Sequence, residues 1–141
     1  MSYKEKIAWL SLFAIIVTIG PYFALVALDT NPAAPMPDLA RLWRLGVALS
    51  LQAVITIAGC IVLAIRNPGD AKAPADERDH AIGHRAMSTA YYVLIAGMIL
   101  VGFVMPFTSA GWSLVNAALF MMVVAEIVHN GMVVVGYRRY A

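Results

Sequence analysis

The chain has 141 residues, 62% of them hydrophobic and only 13% charged, with a mean hydropathy of +0.79. A soluble domain carries about a quarter of its residues as charges, so the composition excludes one and reads as an integral membrane protein. The net charge of +2 arises from ten basic and eight acidic residues with no basic patch for nucleic acid, and the single cysteine, Cys60, excludes an intramolecular disulfide.

So short and apolar a chain leaves no connection long enough to enclose a separate soluble core, and residues 1–141 read as one membrane domain. The first apolar stretch, residues 7–28, follows Lys4 and Lys6. It is too long for a signal peptide and lacks a small-x-small cleavage site, so it is expected to be retained as a helix. Gly20 and Pro21 interrupt it, and a proline there predicts a kink. Ser11, Thr18 and Tyr22 form its polar face.

The connection DTNPAAPMPD contains Pro32, Pro35 and Pro37 and is expected to be extended, ending with Asp38 as an N-cap. Residues 42–65 form the second stretch, with Gln52, Thr56 and Cys60 four apart on one face. RNPGDAKAPADERDHAIGHR then starts as a Pro/Gly loop. At Asp76 it turns helical, with Glu77 and Asp79 complementing the positive end of the dipole. Residues 77–85 are therefore expected to extend the third apolar stretch, 86–106, into the cytoplasm. PFTSAG reads as a tight hairpin before the fourth stretch, 112–137. Each stretch is long enough for about 30 Å of hydrocarbon at 1.5 Å per residue.

With the N-terminus inside, the inner segments carry Lys4, Lys6, Arg66, Lys72, Arg78, Arg85, Arg138 and Arg139, and the outer ones only Arg41 and Arg44. The fold expected is all-α: a four-helix transmembrane bundle, up-down, with both termini cytoplasmic. Trp9, Tyr137 and Tyr140 are then placed at the inner interface and Trp43 and Trp112 at the outer one. The cytoplasmic membrane of a bacterium is the expected location. Gly59, Ala96, Gly102 and Gly131 are the candidates for close helix contact.

The fourth stretch carries the chemistry. Glu126 and His129, with Asn130, sit in an otherwise apolar run, where an ionisable group costs roughly 2.5–3.5 kcal/mol at the helix centre. That cost predicts a place inside the bundle. Glu77 to His80 and Glu126 to His129 both show the Glu-x-x-His spacing of di-iron bundles, but the first two helices supply no intramembrane glutamate to complete such a site. By helix rise His80 lies roughly 12 Å deeper toward the cytoplasm than His129, and His84 only about 5 Å. The metal site expected is therefore mononuclear: Glu126, His129 and His84, with His80 at its mouth, suited to a divalent transition metal. Two alternatives stay open: a buried hydrogen-bonded pair, and a proton-titrating Glu126/His129 pair.

ADERDHAIGHRAMSTAYYVL, Ala75 to Leu94, resembles a family of small predicted bacterial and archaeal membrane proteins. The matching residues are Asp76, Glu77, Arg78, Ile82, Arg85, Ala86, Tyr91 and Tyr92; His80 and His84 lie outside the pattern. The resemblance implies no assigned activity and suggests a membrane partner of regulators or transporters. Asp76, Glu77, Arg78 and Arg85 are accordingly candidate interaction residues, facing a cytoplasmic protein or the inner lipid headgroups. No complete catalytic set is present. The function expected is a non-enzymatic sensor, regulator or assembly partner in the lipid bilayer, able to form homo-oligomers; the alternative is a metal- or proton-dependent enzyme or carrier using the Glu/His site.

Overall fold

The structure, a computed structural model, describes residues 2–28 and 38–139. The expected extended connection with Pro32, Pro35 and Pro37, and the interfacial Tyr140, lie outside the described residues. Helix α1 (Tyr3–Ala27) continues through Pro21. Helix α2 (Leu39–Arg66) starts at Asp38, whose carboxylate accepts from the backbone N–H of Ala40 and Arg41 at 3.0 and 3.2 Å, satisfying donors that have no partner within the helix. A short α3 (Pro68–Lys72) begins on Pro68, where the missing N–H costs nothing. It occupies part of what the sequence reads as a loop.

Helix α4 (Glu77–Ile99) starts in a capping box: Asp76 caps the first turn and Asp79 reaches back to the Asp76 N–H at 3.4 Å. It continues as a π-helical turn (Leu100–Val104) and a 3₁₀ turn (Met105–Phe107). Pro106 explains the change of winding, because it has no N–H to offer the carbonyl four residues back and its ring crowds the preceding turn. Gly111, at φ 61°, takes a left-handed conformation that a side chain would strain, and helix α5 (Trp112–Arg139) follows.

The described residues are all-helical, without strands. Among the described residues four helices are long and apolar enough to cross a membrane: α1, α2, α4 with its extension to Phe107, and α5.

Helix α5 lies against both α4 and α1, and α1 in turn lies against α2. Among the described residues α2 and α4 share no comparable interface. Ile15, Ile19, Tyr22 and Ala48 form a buried cluster, with Phe23, Val26, Leu45 and Val123 against it. Ala14 and Ala86 are almost fully buried, as expected where small side chains let membrane helices approach.

Three glycines mark the closest approaches: Gly59 faces Leu10, Gly97 faces Met121 and Gly136 faces Ile82. A Cβ on Gly136 would lie 2.7 Å from the Ile82 side chain. Of the positions expected from the sequence, Gly59 is such a contact. Gly102 and Gly131 have open space where a side chain would project, and Ala96 is exposed.

Candidate functional site

Two pairs of polar side chains within the apolar helices meet across an interface. Thr18 is buried on α1 and bonds to Gln52 of α2 at 2.5 Å, while also lying 2.8 Å from the Ala14 carbonyl. Toward the other end, the Tyr22 hydroxyl donates to Asn116 Oδ1 of α5 at 2.8 Å. The expected polar faces of α1 and α2 thus meet through Thr18 and Gln52.

A second polar group gathers where α1 and α4 begin and α2 and α5 end. Lys4 Nζ sits 3.0 Å from Asp79 Oδ2, and the Tyr137 hydroxyl donates to the other oxygen of the same carboxylate. Lys6 Nζ donates to Asn67 Oδ1 at 3.0 Å, linking α1 to the end of α2. Glu5, 6% exposed, is paired with Arg138 at 3.7 Å, and the Arg138 guanidinium lies 5.5 Å from the Trp9 ring centre. Arg78 donates to the Tyr137 carbonyl at 3.3 Å.

Asp79 is in the charged first turn of α4, ahead of its apolar stretch. The Tyr137 hydrogen bond holds its carboxyl below the usual carboxylate range; burial opposes this, and Lys4 and the Asp76 N–H add to it.

Glu126 lies elsewhere than expected. Its residue is exposed, on the lateral face where α4 and α5 meet, and does not point into the packed interior. Asn130 is the buried member of the trio; its Nδ2 donates to Glu126 Oε1 at 3.0 Å and to the Glu126 carbonyl at 2.9 Å. His129 is half-buried, and its Nδ1 is buried without a hydrogen-bond partner.

His84, Ser88, Tyr91, Met122, Glu126 and His129 line a groove of about 640 Å³ here, within the size range of small-molecule pockets. His84 therefore shares a cavity with Glu126 and His129, whereas His80 is exposed and does not line it. Among the described residues no three His, Cys, Asp or Glu side chains group closely enough to hold a metal ion. The arrangement is a carboxylate and two imidazoles spread along an apolar, aromatic-edged groove.

Toward the α4 start and the α5 end, the same helix pair forms a further groove of about 740 Å³, with Glu77, Arg78, Arg85 and Arg139 among its lining residues. Asp76 is engaged in capping α4, and the candidate interaction residues are thus divided between a helix cap and this groove. Arg139 is the charged residue of this groove that sequence reasoning missed as a site residue. The signal was present in the spacing of Met122, Glu126, His129, Met132, Gly136 and Arg139, three or four apart along one face of α5.

Comparison with protein-family models, curated proteins and solved structures finds no match for the chain.

Proposed function

We propose that this chain is a non-enzymatic assembly or regulatory subunit of a bacterial cytoplasmic membrane, which engages a membrane-spanning partner through the groove carrying Glu126. The helices run up and down, with both termini in the cytoplasm. Two observations support that orientation: Lys4 and Lys6 bond to residues at the start of α4 and the end of α2, and Arg78, Arg138 and Arg139 belong to the same end, the sign expected of a cytoplasmic face. Residues 77–85 then project from the inner surface.

The observation that carries the functional reading is the exposure of Glu126 on a lateral face of an apolar helix. Lipid tails offer a carboxylate neither hydrogen bonds nor charge, at a cost of roughly 2.5–3.5 kcal/mol in midspan. A partner helix with a hydrogen-bond donor or basic group opposite Glu126 removes that cost and supplies specificity. A photo-crosslinking residue at Met122 in native membranes should give one discrete adduct that disappears in Glu126→Ala. The same residue at Ile57, on the exposed face of α2, should not give it. Identical adducts from both positions, or an adduct indifferent to Glu126, would overturn the proposal.

A second reading is a proton-dependent carrier, favoured by the unpartnered His129 Nδ1 beside Glu126 in an open groove. It predicts that vesicles containing the purified chain acidify in response to a solute gradient and that Glu126→Gln abolishes the response. Equal responses from the two proteins would remove it.

A further inference from the structure

The groove at the charged end of α4 and α5 has the chemistry of an amphiphile site. Its floor is apolar, with Ala81, Ile82, Ala86, Met132, Val135 and Gly136. The floor depends on close helix contact, since a Cβ on Gly136 would collide with Ile82. Around it stand Arg78, Arg85 and Arg139 against the single carboxylate of Glu77, leaving two positive charges in excess. Arg78 is tied to the Tyr137 carbonyl and stacks on its ring at 6.0 Å. Arg85 and Arg139 are both exposed. Neither guanidinium takes part in the ion pairs that hold the helix ends together, which use Lys4, Asp79, Glu5 and Arg138.

We infer that this groove binds one anionic phospholipid, its phosphate held by Arg85 and Arg139 and an acyl chain laid along the floor between α4 and α5. Charge and shape both favour this occupant. Two guanidiniums match phosphate oxygens in fork geometry, and the apolar floor runs from the charged helix ends into the part of the pair that is apolar enough to cross a membrane. Basic grooves between membrane helices at the cytoplasmic surface suit anionic headgroups in this way. A free phosphate would use the arginines and leave the floor uncovered, whereas a zwitterionic lipid would cover the floor and bring a cation to the arginines. The site lies on different residues from the Glu126 groove, so it stands or falls separately from the proposed partner contact.

The test is native mass spectrometry of the full chain in detergent, delipidated and titrated in turn with phosphatidylglycerol, phosphatidylcholine and inorganic phosphate. Wild type should retain one phosphatidylglycerol with roughly thirtyfold preference over phosphatidylcholine, as expected of two arginines acting near a headgroup. Arg85→Gln with Arg139→Gln should lose that preference, while Arg66→Gln, an exposed arginine at the end of α2, should keep it. Tm measured without lipid shows whether the double variant is folded. If it is not, Arg85→Lys with Arg139→Lys, which keeps the charge but removes the fork, should reduce the preference without abolishing it. Equal retention of the two lipids by wild type, an unchanged preference in the folded double variant, or inorganic phosphate displacing the lipid at equal concentration would each overturn the inference.

Discussion

The interfaces around α1 and the lateral face of α4 and α5 treat polar residues in opposite ways. Around α1, Thr18 meets Gln52, Tyr22 meets Asn116, Glu5 meets Arg138 and Lys4 meets Asp79. Each partner comes from another helix, so these groups fix how the helices pack. On the α4 and α5 face, Glu126 has only its own helix neighbour Asn130 in attendance, and His129 Nδ1 has no partner. A polar group bonded across an interface serves the fold. One presented on an apolar face has no other helix to offset its desolvation cost, which is the cost the proposed partner contact would remove.

The contrast is broken most severely at Asp79, which accepts from Lys4 and Tyr137 and closes the capping box of α4. Asp79→Ala leaves two partners without an acceptor and weakens the cap, so it should cost about 2–3 kcal/mol. Urea or thermal unfolding of the purified chain measures this. The same carboxylate makes the cluster sensitive to acid. Its folded pKa is lowered, so its contribution is complete above the unfolded carboxylate pKa of about 4 and is lost as pH falls through the folded value. Wild type should lose stability below about pH 4 more steeply than Asp79→Ala does.

Which parts were legible in the sequence follows from what lipid does to sequence signals. Helix starts at Asp38 and Asp76 are set by local chemistry, a carboxylate followed by free backbone donors, and could be read directly. Length and apolarity likewise marked the four long helices. Helix orientation was not legible in the same way. Where the interior and the surroundings are both apolar, hydrophobic periodicity no longer points inward, and α5 carries apolar residues on every face. The inward expectation for Glu126 therefore rested on charge cost alone and placed it in the interior, although its neighbour Asn130 is the residue that is buried. Close contacts at Gly97 and Gly136, in place of Gly102 and Gly131, escaped notice for the same reason. The joint presence of His84, His129 and Glu126 in one cavity was readable from helix rise, because depth along a helix depends on residue count and not on which way the face turns.

A milder break lies between α1 and α2. Gln52→Leu removes the interhelical partner of Thr18, which keeps its bond to the Ala14 carbonyl. The loss should be about 0.6–1 kcal/mol, as for other hydrogen bonds between membrane helices. Steric trapping of the unfolded state in bicelles can resolve it. Thr18→Val combined with Gln52→Leu should cost less than the sum of the two single changes, since both remove one interaction.

The smallest effect on stability is expected at Glu126. Glu126→Gln keeps an oxygen to accept from Asn130 and removes a carboxyl group that no other helix pairs with. The unfolding free energy of the isolated chain should therefore change by no more than about 0.5 kcal/mol, the range of surface substitutions. Glu126→Leu should be neutral or stabilising in a bilayer, where it removes the penalty of an apolar-facing carboxylate, and this is the opposite sign to Asp79→Ala. A loss of about 1 kcal/mol or more in Glu126→Gln would mean that the carboxylate belongs with the paired groups around α1, and the lateral face would then no longer be distinguished from the interior by unmet polar chemistry. A silent Glu126→Gln that nevertheless loses the Met122 adduct would separate the two uses of polarity in a single residue, with folding indifferent to the carboxyl group and the external contact dependent on it.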